Sequence, residues 1–574
     1  MSSQIENIRH SLAHLLAAAV RALYPGAKNA IGPAIENGFY QDFELPKPIS
    51  QDDLPKIEAK MRELLPRWTK WTKKVVTLKD VKKEFGWNRY KLELAKEFAR
   101  DKKTLTFYTC GGLIDLCKGG HALALSEIDP YSFKLDRVAG AYWRGDEKNK
   151  MLTRIYGLAF ETKKELEEHL WREEEAKKRD HRILGERLKL FTFAKEVGPG
   201  LPLWLPNGTV IREEIEKYAK KIEAEWGYKG VATPHIAKEE LYKTSGHIPY
   251  YRESMFPPMK LDDGNYYLKA MNCPHTHMIY KSEPRSYRDL PVRFAEYGTV
   301  YRYELSGTLA GLLRTRGFTQ NDAHIYCRED QAEEEFLQVM KLHEFWYKKV
   351  FDIKDFYMRL ALPAKNKNKF AGTPKEWASA ITIVRNAMKR SGLPFVEAEG
   401  EAAFYGPKVD FQIKSVIGRE ETASTNQLDF FSPKRFGLTY RDRDGKEKFV
   451  YVIHRAPLGS HERFIAFLIE HYAGAFPFWL SPVQVAVLAI NEKIADYAEK
   501  VFEELKKKDI RAELDLRNES ISKKIREAEL QKIPYLLIIG EKERSAKKIA
   551  VRERGGKDLG EMALEEFDKI IGAK

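Results

Sequence analysis

VYRYELSGTLAGLLRTRGFTQNDAHIYC, residues 300–327, is the stretch from which the fold of the chain is read. Val300 to Tyr303 and Thr319 to Tyr326 are runs rich in β-branched and aromatic residues, and the Gly, Ser and Thr between them supply loop chemistry, so the spacing predicts a hairpin. Arg302, Arg314 and Arg316 then gather near one end of it. Guanidiniums on a rigid ladder hold phosphates by bidentate, charge-assisted hydrogen bonds, and Glu304 can accept from a base amine or a ribose. An ATP-like ligand suits this set, although an isolated Arg-rich hairpin also suits a solvated face.

Outward from the hairpin, Val210 to Trp226 carries Ile211, Ile215, Tyr218, Ile222 and Trp226 on one helical stripe. Strand-like runs such as FYMRLAL and VDFQIKSV alternate with helices, which predicts an α+β body with an antiparallel sheet. Cys273 in AMNCPHTH, His324 in NDAHIYC and His454 in YVIHRAPLGS are far apart in sequence, and each is read at or near a strand. If the fold unites them, one Cys and two His leave a fourth zinc position open.

Near the start, apolar residues at helical spacing predict a helix from Ile5 to Leu23 with His10 and His14 one turn apart. DLCKGGH places Cys117 and His121 four positions apart beside Asp115. The set has the ligand types of tetrahedral zinc and equally those of a polar pocket that orients a hydrolytic water; spacing does not choose. Lys163 to Arg187 alternates charge at i,i+4 and reads as one long exposed helix without chemistry. At the end, VQVAVLAI, RAELDL and YLLIIG separated by helical patterns predict a largely parallel βαβ sheet with IAVRER as an edge strand.

With 98 Lys plus Arg against 84 Asp plus Glu, the net charge of +14 favours a polyanionic partner. A length of 574 residues divides into several domains. Four cysteines exclude a disulfide scaffold and suit a reducing, cytoplasmic compartment. No run approaches the roughly 18 apolar residues of a membrane helix, so neither a secreted nor a membrane-embedded protein is expected.

Residues 300–327 resemble motif 2 of class II aminoacyl-tRNA synthetases, and Ile453 to Glu470 resemble motif 3. HSLAH, IGPAIENGFYQDF, YKLEL, DLCKGGH and GAYWRGD resemble, in order, the editing domain of bacterial-type threonyl-tRNA synthetases, whose motifs MNCP, GFTQNDAH and IHRAPLG are also present. The resemblance implies threonine activation by ATP, transfer to tRNA(Thr), and hydrolysis of seryl-tRNA by His10, His14, Lys91, Asp115, Cys117 and His121 through a positioned water rather than a metal. It implies one Zn2+ per subunit on Cys273, His324 and His454, Mg2+ with ATP, and a homodimer built on the 210–234 element.

By the same carry-over, Arg302, Glu304, Arg314, Phe318, Gln427 and Arg463 bind ATP, while Gln320, Asp322 and Tyr405 line the threonine pocket. Lys408 lies near the carboxylate and phosphate end, His247 assists the terminal ribose, and Asn518, Glu543 and Arg552 read the anticodon. The implied organisation is multidomain α+β and α/β: an α+β editing domain at 1–160, a linker helix at 161–190, a class II catalytic domain with an antiparallel sheet and flanking helices at 191–480, and an α/β anticodon-binding domain at 481–574.

Zinc would test for a hydroxyl, so valine is refused, while serine, one methyl smaller, is discriminated by only about 1–3 kcal/mol and needs the second site. Three departures stand out: KGGH for RGPH, Glu421-Thr422 for Trp-Gln, and an expected absence of the family's N-terminal ubiquitin-like module. The competing readings are a class II synthetase for another amino acid, such as serine or proline, and a non-catalytic RNA-binding relative.

Overall fold

The computed structural model describes residues 4–125, 128–364, 372–415, 418 and 420–572. The chain forms two compact units, residues 1–174 and 175–574. In the first, α1 (Gln4–Leu23) buries Leu12, Leu15, Leu16 and Val20 completely. These pack with Phe39 and Phe43 of β1 (Gly38–Glu44) and with Ile155 of a neighbouring strand in one core. Each such side chain contributes about 1.5–3 kcal/mol by leaving water, so a charge at Leu16 would detach the helix.

α2 (Arg89–Arg100) starts at Asn88, whose side chain accepts the N–H groups of Tyr90 and Lys91 at 3.1 and 3.4 Å. β2 (Thr106–Cys110) and β3 (Leu113–Leu116) form a hairpin across Gly111-Gly112, both at positive φ, as a two-residue turn of the primed type requires. β4 (Phe133–Tyr142) and β5 (Met151–Ala159) complete the antiparallel sheet of β1. The charged helix then breaks where the sequence reading had it continue. α3 spans Lys163–Arg179 and α4 spans His181–Arg187. Asp180 leaves helical geometry between them and caps the N–H of Arg182 at 2.8 Å. His181 and Leu184 of α4 are buried, so this segment is no solvated strut.

In the second unit, α5 (Pro206–Glu225) precedes β6 (Lys229–Gly230), and α6 runs from Cys273 to Lys281. An eight-stranded sheet contains β6, β7 (Val292–Tyr301), β8 (Gly317–Cys327), β9 (Phe356–Leu362), β10 (Phe395–Glu399), β11 (Lys408–Lys414), β12 (Glu420–Asp429) and β13 (Tyr451–Ala456). Its spatial order is β6-β7-β8-β13-β12-β11-β9-β10, and all pairs between β7 and β9 are antiparallel. The quoted hairpin joins β7 to β8 within it, with Val300 opposite Phe318; the first strand runs from Val292 and ends at Tyr301, so Arg302 and Tyr303, expected in the strand, lie past it in the loop. α7 (Glu329–Glu344), α8 (Pro374–Ser391) and α9 (His461–His471) flank the sheet. Ser460 starts α9 by accepting the Arg463 N–H at 3.2 Å.

Beyond α9, β14 (Val485–Ala489) pairs in parallel with β15 (Ala512–Asp515) and β16 (Tyr535–Ile539). β17 (Ile549–Glu553) is antiparallel to β16 and is not an edge: Gly555-Gly556 turn the chain back into β18 (Lys557–Met562), which covers it. The sheet is thus mixed: β17 returns antiparallel to β16 after the short helix Glu541–Ala546, and a hairpin then joins it to β18.

Candidate functional site

Strand periodicity builds the larger site. Phe318, Gln320, Asp322 and His324 alternate along β8 and so share one face. Register adds the neighbours: His324 faces His454 on β13, His454 faces Gln427 on β12, and Gln427 faces Lys408 on β11. Four residues from distant parts of the chain thereby form one rung across four strands.

At one end of this face lies a cavity of about 430 Å3 lined by Arg302, Glu304, Arg314, Phe318, Gln320, Thr422 and Arg463. The Arg302 guanidinium stands 5.1 Å from the Phe318 ring centre, so a cation and an aromatic plane border the same space. Arg463 reaches it from the first turn of α9. Glu304 is not free, because Arg314 donates to it at 2.8 and 2.9 Å. Arg316 does not line the cavity; it donates to the Glu304 carbonyl at 2.9 Å and holds the loop.

At the other end, Cys273, His324 and His454 bring their ligand atoms within 4.8 Å of one another. Cys273 is the first residue of α6, not part of a strand. Burial keeps the His324 imidazole well below its ordinary range, hence neutral. Its buried Nε2 has no hydrogen-bond partner among the described residues. A neutral orphaned imidazole beside a thiol and a second imidazole fits a zinc ion with an open fourth position. His454 Nε2 lies 3.2 Å from Asp429, the kind of carboxylate contact that orients a ligand ring.

Around these ligands, Asp322 accepts from Asn272 at 3.0 Å, and burial pushes its carboxyl up to about 6. The Tyr405 hydroxyl donates to Gln427, and its ring lies 5.5 Å from that of His454. Lys408 is held by Asp410 at 2.9 Å, and Thr425 donates to the same carboxylate at 2.7 Å. His247 contacts the Ser245 hydroxyl at 2.8 Å, and burial lowers it to about 4. Thr422 exchanges hydrogen bonds with the Gln412 amide at 2.8 and 3.2 Å, so this departure from the family pattern is accommodated within the cavity wall.

The first unit holds a second site. Lys91 Nζ lies 2.6 Å from one oxygen of Asp115, while His14 and Asn29 donate to the other at 3.0 and 3.1 Å. Cys117 Sγ stands 3.5 Å from the Nε2 atoms of His10 and His121. His121 stacks on Trp71 with ring centres 3.9 Å apart, a contact that no local sequence signal announced. A cavity of about 480 Å3 opens onto His10, His14, Gln41, Lys91, Asp115 and Cys117.

Burial drives the His14 pKa down, but Asp115 and Cys117 outweigh it and hold the imidazole at about 9. Burial pushes the Cys117 thiol up, yet His10, His121 and His14 bring it down to about 3. Alkylation of Cys117 by iodoacetamide is therefore expected to proceed at about pH 5 nearly as fast as at neutrality, where an ordinary thiol would be almost silent. Peptide mass mapping against buried Cys110 and Cys327 checks this; a rate falling tenfold per pH unit would refute the thiolate.

In the last domain-sized segment, Asn518 is exposed in the turn after β15, and Arg552 lies on β17. Glu543 is mostly buried and accepts the Gly540 N–H at 2.8 Å, which commits one of its oxygens to capping its own helix.

Three families match the chain: the "tRNA synthetase class II core domain (G, H, P, S and T)" over residues 256–472, an "Anticodon binding domain" over 484–574, and the "Threonyl and Alanyl tRNA synthetase second additional domain" over 105–156. A threonine–tRNA ligase of Deinococcus radiodurans is 49% identical over 98% of this chain and 87% of its own length. One from Thermus thermophilus is 47% identical over 97% of this chain and 87% of its own length. A crystal structure described as the RNA binding domain of threonyl-tRNA synthetase from Cryptosporidium parvum Iowa II is 36% identical, with a TM-score of 0.65, covering 69% of this chain and 98% of that one.

Proposed function

Since the chain belongs to the threonine–tRNA ligase family of class II aminoacyl-tRNA synthetases, we propose the assignments by which its residues activate threonine with ATP, charge tRNA(Thr) and clear seryl-tRNA(Thr). Residues 1–160 edit, 161–190 connect, 191–480 catalyse and 481–574 bind the anticodon. The observation that carries this is the rung on which His324 and His454 face each other within reach of Cys273, beside the Arg302 and Arg463 cavity.

In the activation site, Phe318 takes the adenine face while Gln427 and Glu304 contact the nucleotide, and Glu304 first exchanges its Arg314 contact for the base. Arg302, Arg314 and Arg463 hold the phosphates, with Mg2+ accompanying ATP. Cations fixed beforehand stabilise the charge that develops as the threonine carboxylate attacks the α-phosphate, and Lys408, on the rung of His324 and His454, is assigned to that carboxylate. Asp322, Gln320 and Tyr405 hold the amino acid. Cys273, His324 and His454 hold one zinc ion; when bound, it supplies a Lewis-acid contact for an amine and a hydroxyl, which valine cannot satisfy. His247, kept neutral by its surroundings, serves the terminal ribose during transfer.

In the editing site, Lys91 and Asp115 fix His14, and His10, Cys117 and His121 orient the water. The convergence of His10, His14, Cys117 and His121 within 4.8 Å also favours a second reading, a metal at this site. Asn518, Glu543 and Arg552 are assigned to the anticodon, and a homodimer is assigned through the segment from α5 to β6. Four free cysteines support a cytoplasmic enzyme; among the described residues no helix is long and apolar enough to cross a membrane.

The test is threonine-dependent ATP–pyrophosphate exchange, with serine and valine in parallel and metal analysis of Cys273→Ser and Cys117→Ser. Exchange with threonine, weaker exchange with serine, none with valine, and one zinc lost only in Cys273→Ser are expected. Exchange that survives without metal would refute the zinc assignment. A second ion lost in Cys117→Ser would favour the metal reading of the editing site.

A further inference from the structure

The loop between β7 and β8 carries Glu304, Leu313 and Arg314 to the ATP cavity, so its tip must be held. Its base is tied by backbone: Arg302 N–H donates to Arg316 O at 2.9 Å, and Arg316 N–H donates to Gly200 O at 2.6 Å. The tip has a different anchor. Leu312, 1% exposed, donates its N–H to His181 Nε2 at 3.2 Å. Gly311 before it sits at φ +52°, and a Cβ there would stand 2.3 Å from that same nitrogen. The loop thus approaches the His181 ring as closely as glycine permits.

Because Nε2 accepts, the ring proton resides on Nδ1, which lies 2.7 Å from Glu470 Oε1 and donates to it. Glu470 belongs to the last turn of α9, the helix whose first turn presents Arg463. Arg179 fastens the same end, donating to the Glu470 and His471 carbonyls at 3.3 and 3.0 Å. His181, 3% exposed, therefore braces the loop of one phosphate-facing arginine against the helix of another. Asp180, His181 and Glu470 have metal-ligand chemistry, but both ring nitrogens are engaged and the Asp180 carboxylate is spent on Arg182 at 2.5–3.2 Å.

We propose that His181 is a positioning residue for ATP, holding the loop tip so that Leu313 and Arg314 stand in the cavity wall. The inference rests on the ATP-site assignment above. The two bonds of the ring can be separated by substitution. Glutamine places an oxygen near Nε2 and keeps an acceptor for Leu312, whereas asparagine places its amide near Nδ1 and keeps only the Glu470 contact.

In threonine-dependent exchange, His181→Asn is expected to raise KM for ATP about tenfold, as loss of the acceptor of one buried N–H would do. KM for threonine should stay within about twofold, and His181→Gln should bring KM for ATP back to within about threefold of wild type. Hydrogen exchange of residues 305–316 gives a readout independent of catalysis: protection at Leu312 falls in His181→Asn and returns in His181→Gln. Equal behaviour of the two variants, or KM values for ATP and threonine that rise together, would overturn the proposal. Failure of the ATP-site assignment would show differently, as an Arg302→Ala enzyme that exchanges normally while the protection pattern persists.

Discussion

Arg302→Ala is expected to slow exchange by about 10^2–10^3-fold with threonine and with serine alike, the size of effect seen when one preorganised donor to developing charge is removed. Arg302 carries this because of where it stands. Its guanidinium is 5.1 Å from the Phe318 ring and borders the cavity that Arg463 reaches from the opposite element. The amino-acid pocket proposed above lies further along β8, at Asp322 and His324, so the ratio of threonine to serine exchange should not move. Arg302→Lys keeps the charge and loses the planar fork, and an intermediate rate is expected. Steady-state exchange with ATP varied separates the possibilities: if only KM for ATP rises while kcat stays at the wild-type value, Arg302 holds the ground state alone.

Asp115→Asn is expected to abolish deacylation of seryl-tRNA(Thr), by about 10^2–10^4-fold, while exchange continues. Asparagine keeps the shape and removes the charge. Lys91 and His14, 4% and 5% exposed, then face each other without the carboxylate that pairs them. Breaking such a buried group from one side costs about 3–5 kcal/mol, so the thermal transition of the first unit should fall as well.

The pH dependence has a definite sign. The His14 pKa is raised from 6.5 to about 9, so its contribution to stability is complete below about pH 6.5 and is lost as pH rises through about 9. The Asp115 pKa is depressed, so its contribution is present above the ordinary carboxylate range and is lost only in stronger acid. Cys117, depressed from 9 to about 3, contributes stability that grows with pH over the same interval and offsets the His14 loss, so the His14 share is read in Cys117→Ser: its melting temperature should fall between about pH 6 and pH 9, and fall less when Asp115→Asn is added. Unchanged deacylation would remove Asp115 from the site.

What the sequence made legible was local chemistry with a period. The hairpin at 300–327 could be read because β-branched and aromatic runs flank a Gly-Ser-Thr loop, and His10 and His14 because apolar residues repeat around one helix. Contacts set by register were not legible. Nothing near His454 announces Asp429 as its neighbour, since that pairing depends on which strands lie side by side; Asp410, by contrast, holds Lys408 from two residues along the same strand, a period-2 contact that was local all along. The pairing of Glu304 with Arg314 is of the same kind: both residues were singled out, but only the closed loop brings them together. The break at Asp180 did carry a signal, an N-capping residue, concealed inside a run of charge. Read as a strut, that segment hid His181, whose partners lie at positions 312 and 470.

The second-additional-domain match covers residues 105–156, which include Asp115, Cys117 and His121. His10 and His14, however, come from α1, and Lys91 from α2, helices whose apolar faces are built into separate hydrophobic clusters of the unit. A gene fragment encoding only 105–156 would inherit half of a proofreading device and an uncovered sheet. The piece to graft onto another ligase, if the proposed site is to travel intact, is the whole compact unit of residues 1–174.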